Sequence, residues 1–156
     1  MKQKRPFFYW VIQIFFIFAI ITCILGQSMA IFDYDFAVST GLQESYEKVS
    51  DFGIIFNKAF GFADTLTYIP LMIITFFGLW FRKRWALVTL AGVSGISIYW
   101  TLTCIYFMNA ASAVKGFTLV PGVPYYILMG IYFVTGIWGL IYLIVRGERL
   151  IAQNSK

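Results

Sequence analysis

The residue with the clearest capacity for chemistry is Asp64, a carboxylate three positions into an apolar run that begins at Gly61. A charge there costs on the order of 2 to 3 kcal/mol near the middle of a bilayer and less toward its edge, which makes the residue a functional-site candidate. On helical spacing Asn57, Asp64 and Tyr68 fall at i, i+7 and i+11, with Gly61 between them at i+4. That stripe is polar and leaves room at its glycine. A second stripe, Tyr99, Thr103, Tyr106 and Asn109, follows i, i+4, i+7 and i+10, with Trp100 beside it. Facing one another, the two would enclose a cavity of one carboxylate and several hydroxyls between helices. A protonatable Asp64 in that cavity could be a general acid, a proton-coupled transport site or the counter-ion of an amine. The competing role is scaffolding, with Asp64 accepting hydrogen bonds from Thr65, a tyrosine or a helix terminus.

Other chemistries have little to stand on. Histidine is absent, which removes the commonest general base and metal ligand. Cys23 and Cys104 each lie in an apolar run without a neighbouring ligand and read as small buried hydrophobes. There is no phosphate-binding loop, dinucleotide fingerprint, zinc signature or supported nucleophile, so neither cofactor nor metal is expected. Asp33 and Asp35 would point to opposite sides of an extended chain and make a poor acid/base pair. The expectation leans away from an enzyme; the one enzymatic version is a membrane isomerase with Asp64 as proton donor.

The elements that must position these residues are four apolar runs, at 7–32, 61–81, 85–108 and 123–145. Each reaches the roughly 20 residues that a helix needs to cross a bilayer. With 60% apolar and 12% charged residues, a chain of 156 cannot bury its apolar surface in its own core, so lipid or partner subunits must cover it. The reading is therefore an all-α, single-domain, multi-pass membrane protein built as a four-helix bundle. Nine basic residues lie at one side, as Lys2, Lys4, Arg5, Arg82, Lys83, Arg84, Arg146, Arg149 and Lys156, against Lys48, Lys58 and Lys115 on the other. That bias puts both termini in the cytoplasm. Because the basic residues sit at the ends of apolar runs, they set topology, and nucleic acid is excluded as a partner. The N-terminal run imitates a signal peptide but is longer than the 7 to 15 residues of a signal core, so it is expected to stay.

The outer connection, 33–60, is the longest. Thr40 followed by Gln43 has the form of a capping box, and Leu42, Tyr46 and Val49 share a face, which predicts an amphipathic helix over 41–50 that could act as a lid. Glu44 and Lys48 are spaced to pair on another face. Six of the seven acidic residues, all but Glu148, belong to this outer half. Small residues at four-residue spacing, Thr22–Gly26–Ala30, Ala91–Gly95 and Thr135–Gly139, predict close helix packing within the bundle ahead of a homo-oligomeric face.

The layout resembles the EXPERA four-helix membrane proteins, the group of emopamil-binding sterol isomerase and the sigma-2 receptor. The similar features are Asp33 closing the first run, Asp64 with Pro70 six positions later, Arg84-Trp85 opening the third run and Pro124-Tyr125 opening the fourth. The resemblance implies a lipophilic, amine-bearing or sterol-like ligand between the helices, with Asp33 and Asp64 as acidic contacts. Both acidic positions are Asp and there is no histidine, which departs from an isomerase. The leading expectation is a small lipophilic or cationic ligand in an outer-half cavity around Asp64, with Tyr68, Asn57, Asp33, Tyr99, Trp100 and Tyr106 as contacts and membrane lipids as neighbours. The alternatives are an oligomeric channel or transporter subunit, and an accessory subunit of a larger membrane complex. Short loops and a C-terminal 153–156 without a retrieval signal favour a bacterial cytoplasmic membrane over the endoplasmic reticulum.

Overall fold

The computed structural model describes residues 4–151 and is helical throughout, with no strand among them. In chain order the helices are α1 (Phe7–Phe32), α2 (Tyr34–Ser39), α3 (Tyr46–Trp80), α4 (Trp85–Ala111), α5 (Val123–Arg146) and α6 (Glu148–Ile151). Of these, α1, α3, α4 and α5 are long and apolar enough to cross a membrane. Lys2, Lys156 and the tail 153–156 lie outside the described residues.

The local signals explain the boundaries. Pro6 and Pro124 stand at helix starts, where the missing N–H costs nothing. Helix α1 stops at Asp33, whose side chain accepts from the Phe36 backbone N–H at 3.0 Å and so caps α2. The α3–α4 turn is a Schellman motif: Lys83 N–H donates to Gly78 at 2.8 Å and Arg82 N–H to Leu79 at 3.1 Å. Arg82 takes the left-handed position at φ 55°, which a side chain rarely adopts, and the Gly78 Cα lies so close to the Trp85 ring that the hairpin must be tight.

Helix α1 packs on α3 and α5, and α4 packs on the same two helices from the other side. At the basic end Gln13 bridges α1 to α3 by donating to the Phe76 carbonyl at 3.2 Å, while Phe8 lies against Trp138 and Tyr142 of α5. Arg5 donates to the Trp80 carbonyl at 2.6 Å, closing the α3 terminus. Gly136 and Gly139 of α5 lie against Ser94 of α4, as close small-residue packing requires. Gly95, by contrast, faces open space.

Two turns are widened to π-helical spacing: Ile24–Ser28 in α1 and Asp64–Tyr68 in α3. The second immediately precedes Pro70, which has no N–H for the Leu66 carbonyl and would press on it in a regular helix. The two wide turns pack against each other, joined by Ser28 Oγ and Thr65 Oγ1 at 2.8 Å. Since Thr65 gives its proton to the Gly61 carbonyl at 2.7 Å, Ser28 is the donor between the helices.

The connection after α1 differs from the sequence expectation. Residues 41–50 do not form one helix: the helix comes earlier, as α2, and α3 begins at Tyr46, fifteen positions ahead of the expected second span. Thr40 caps no N-terminus, because Gly41 at φ 72° is a helix-stop signal and Thr40 Oγ1 donates backward to Ala37 at 2.9 Å. Gln43, expected to reach back to Thr40, donates instead to the Gly26 carbonyl of α1 at 3.2 Å. Within α3, Ser50 leaves the helical region at φ 58°, and the freed Lys48 carbonyl accepts from Thr118 N–H at 2.8 Å. That bond ties 46–50 to the α4–α5 connection, where Val49, Phe117 and Leu119 form a small second core with Ala30 and Tyr34.

Of the glycines, Gly61 has the least room for a side chain, because a Cβ there would collide with the Gln27 carbonyl and press on Ala30. Gly61→Ala should therefore destabilise by about 1–3 kcal/mol through overpacking. Gly95→Ala, with nothing to meet, should leave the melting temperature unchanged or raise it. Thermal unfolding of both variants in detergent checks the pair.

Candidate functional site

At the loop end all four long helices draw apart around a cavity of about 490 Å³, within the size range of small-molecule sites. Helix α1 contributes Thr22, Cys23, Gly26 and Gln27; α3 contributes Phe56, Asn57 and Phe60; α4 contributes Trp100, Cys104 and Phe107; and α5 contributes Tyr125, Leu128 and Tyr132. The segment Gly41–Glu44 closes one side. It is held there by Gln43 on α1 and by Tyr34, whose hydroxyl donates to the Glu44 carbonyl at 2.8 Å and accepts from Asn57 at 3.0 Å.

The polar groups of the wall divide into two sets. Thr22 gives its proton to the Phe18 carbonyl at 3.0 Å, so the Tyr132 hydroxyl, 2.8 Å away, is the donor to Thr22. These groups are spent on structure. Three wall residues carry buried polar atoms with no hydrogen-bond partner: Gln27 Oε1, Trp100 Nε1 and Tyr125 Oη. One is an acceptor, one a donor and one both. Leaving each unpaired costs about 1–3 kcal/mol. Trp100 is the most deeply placed, only 7% exposed, with its ring 5.2 Å from that of Tyr132.

The structure separates the seven residues singled out from sequence. Trp100 and Asn57 line the cavity. Asp64 and Tyr68 are buried but do not line it. Asp64 sits behind the wall, within electrostatic reach of the Cys23 and Cys104 thiols, and its Oδ2 has no hydrogen-bond partner. Tyr68 donates to Ser97 Oγ at 2.6 Å, since Ser97 gives its own proton to Val93 at 2.9 Å. The i+7 step from Asn57 to Asp64 runs along regular helix and still parts the two, while the widened turn changes the rotation per residue only from Asp64 onward. Asp33 is the exposed cap of α2 and lies away from the cavity. Tyr99 and Tyr106 are 69% and 77% exposed on the outer face of α4, so the expected second stripe points away from the bundle. Thr103 and Asn109 on that stripe donate to carbonyls of their own helix.

Residues that sequence reasoning passed over supply most of the site. Gln27 carries a signal in retrospect, as an amide inside an apolar run. Tyr125 does so less, because its neighbour Tyr126 faces out. No group of three or more metal-ligating side chains occurs among the described residues.

These features define an all-helical protein with four helices of membrane-crossing length and an interhelical cavity at one end. Comparison with known proteins finds no matching family model, no matching curated protein and no matching solved structure.

Glu44 is the one ionisable carboxylate in the cavity wall. Burial pushes its carboxyl above the ordinary range, with Lys48 acting in the opposite sense. A raised value in the folded state means that the docked segment is most stable below the ordinary carboxylate pKa and loses that stability as pH rises through the raised value. Amide exchange at 41–45, corrected for intrinsic rates, should be more protected at pH 5 than at pH 8, and Glu44→Gln should abolish the difference.

Proposed function

We propose that the protein is a multi-pass membrane protein that binds one small, predominantly apolar molecule in the cavity between its four long helices. The observation that carries this reading is the cavity of about 490 Å³ between the four helices, three of whose lining residues, Gln27 of α1, Trp100 of α4 and Tyr125 of α5, each keep a buried polar atom without a partner. The lining between them is mainly aromatic and aliphatic, as small-molecule sites are. The ligand in this reading offers an acceptor to Trp100 and a donor to Gln27, and a cationic end, where it has one, meets Glu44. The binding centre is Trp100 rather than Asp64, which stands one layer behind. The resemblance to the EXPERA layout agrees with a lipophilic ligand between helices and differs in the contacts, since Asp33 and Asp64 lie off the cavity.

Membrane insertion is supported by the length and hydropathy of α1, α3, α4 and α5 and by apolar side chains left exposed along them, such as Ile14, Phe77, Leu102 and Ile141. The basic end is assigned to the cytoplasm by its charges, with 33–45 and 112–122 outside. The protein should resist alkaline carbonate extraction from membranes. In a Cys23→Ala, Cys104→Ala background, Lys115→Cys should react with an impermeant maleimide added outside, and Lys83→Cys should not. Extraction by carbonate overturns insertion, and the reverse labelling overturns the orientation.

The ligand itself is tested by mass spectrometry of small molecules that copurify with wild type, Trp100→Phe, Leu128→Trp and Asp64→Asn. Trp100→Phe removes one donor, about 1 kcal/mol, and should weaken retention about fivefold. Leu128→Trp fills the cavity and should empty it, while Asp64→Asn should retain the molecule. Equal content of ordinary lipids in all four preparations, with equal melting, rejects the reading.

A further inference from the structure

At the opposite end of the bundle a groove of about 740 Å³ runs between α4 and α5. Its floor is apolar, made by Leu87, Val88 and Ala91 of α4 and by Ile144 and Val145 of α5. Val88 and Ile144 are 74% and 84% exposed, so none of the described residues fills it. Its rim is charged: Arg146, Glu148 and Arg149 line the end nearest the α5–α6 turn.

That rim is a fixed structure. Leu150 and Ile151 of α6 are buried in the main core at 2% and 6% exposure, and Gly147 N–H donates to Leu143 at 3.1 Å. The turn therefore presents its arginines from an anchored position. The one carboxylate of the rim, Glu148, is engaged by Arg84, just ahead of α4, at 3.5 Å. Arg146 and Arg149 have no hydrogen-bond or ion-pair partner among the described residues, and both are exposed. With Lys83 and Arg84 nearby in sequence at the same end, and with every other acidic residue elsewhere in the chain, the rim carries an excess of positive charge.

A charged rim directly above an apolar floor fits an amphiphile better than a soluble anion. Ala91 lies seven residues along α4 from Arg84, or roughly 10 Å along the axis, a depth that suits the upper part of an acyl chain. Guanidinium groups hold phosphate oxygens by paired N–H bonds, and basic pockets between helices at the cytoplasmic side take anionic headgroups. We propose that this groove seats one anionic phospholipid, with its phosphate on Arg146 and Arg149 and an acyl chain along Val88 and Ala91. The proposal rests on the membrane reading above but is independent of the ligand in the cavity.

The test titrates delipidated protein in detergent with phosphatidylglycerol and, separately, phosphatidylcholine, and counts bound lipid by native mass spectrometry. Wild type should retain phosphatidylglycerol in preference. Arg146→Gln with Arg149→Gln should weaken that binding about tenfold, whereas Lys58→Gln with Lys115→Gln, which removes the same charge at the other end of the bundle, should not. Ala91→Trp fills the floor with every charge intact and should weaken it as well, and it decides the matter alone if the arginine variant does not fold. Soluble glycerol phosphate should fail to compete. Equal affinity for both lipids, equal losses from the two double variants, no effect of Ala91→Trp, or a lipid-independent dimer covering the groove overturns the proposal. Failure of the membrane reading would show separately, in carbonate extraction.

Discussion

Helices α1 and α3 meet where Gly61 lies against the Gln27 carbonyl, a place no side chain can enter, and much of the loop end follows from that approach. It brings two widened turns side by side and lets Ser28 reach Thr65 across the interface. A wide turn trades regular helical bonding for a displaced backbone, which is tolerable in an apolar interior only where neighbouring groups pair what is released. Here the pairing is visible: Thr65 donates to Gly61, and Gln43 reaches from the loop to Gly26. The same stretch of α1 supplies Thr22, Cys23 and Gln27 to the cavity wall. The irregularity of the helix and the position of the cavity have one origin.

The rest of the bundle divides its polar residues by purpose. Gln13, Tyr68 and Tyr132 are deeply buried, and each bonds across a helix interface, so they fix the register between helices. Among the cavity residues, Gln27, Trp100 and Tyr125 each keep one buried polar atom without a partner, as Gln13 does elsewhere in the bundle. A protein interior rarely leaves such groups unpaired, and the cavity's three come from three different helices, α1, α4 and α5. Asp64 belongs to neither set. Its carboxylate is buried off the cavity wall, with Oδ2 left without a partner.

The two ends of the bundle are chemically opposite. The basic end is closed by short, strongly specified turns, with Arg82 in a left-handed conformation and Arg5 on the last carbonyl of α3. The loop end is held by single bonds from long connections, such as Tyr34 to Glu44 and Thr118 to Lys48. Fewer constraints there mean that local opening is less costly.

The four long helices, their limits to within a few residues at α1, α4 and α5, and the grouping of charge were legible in the sequence, because hydropathy and terminal signals act locally. Trp100 and Asn57, singled out by helical spacing, do line the cavity. The remainder depended on contacts between elements. Gly41 decides whether Thr40 starts a helix or ends one, and only the docking of the loop on Gly26 shows which. The wide turn before Pro70 shifts Tyr68 onto Ser97, and the rotation of α4 in the bundle carries Tyr99 and Tyr106 outward. Helical spacing says which residues share a face. Which face looks inward is set by the packing of four helices at once, and that is why Gln27 and Tyr125 emerged only from the folded chain.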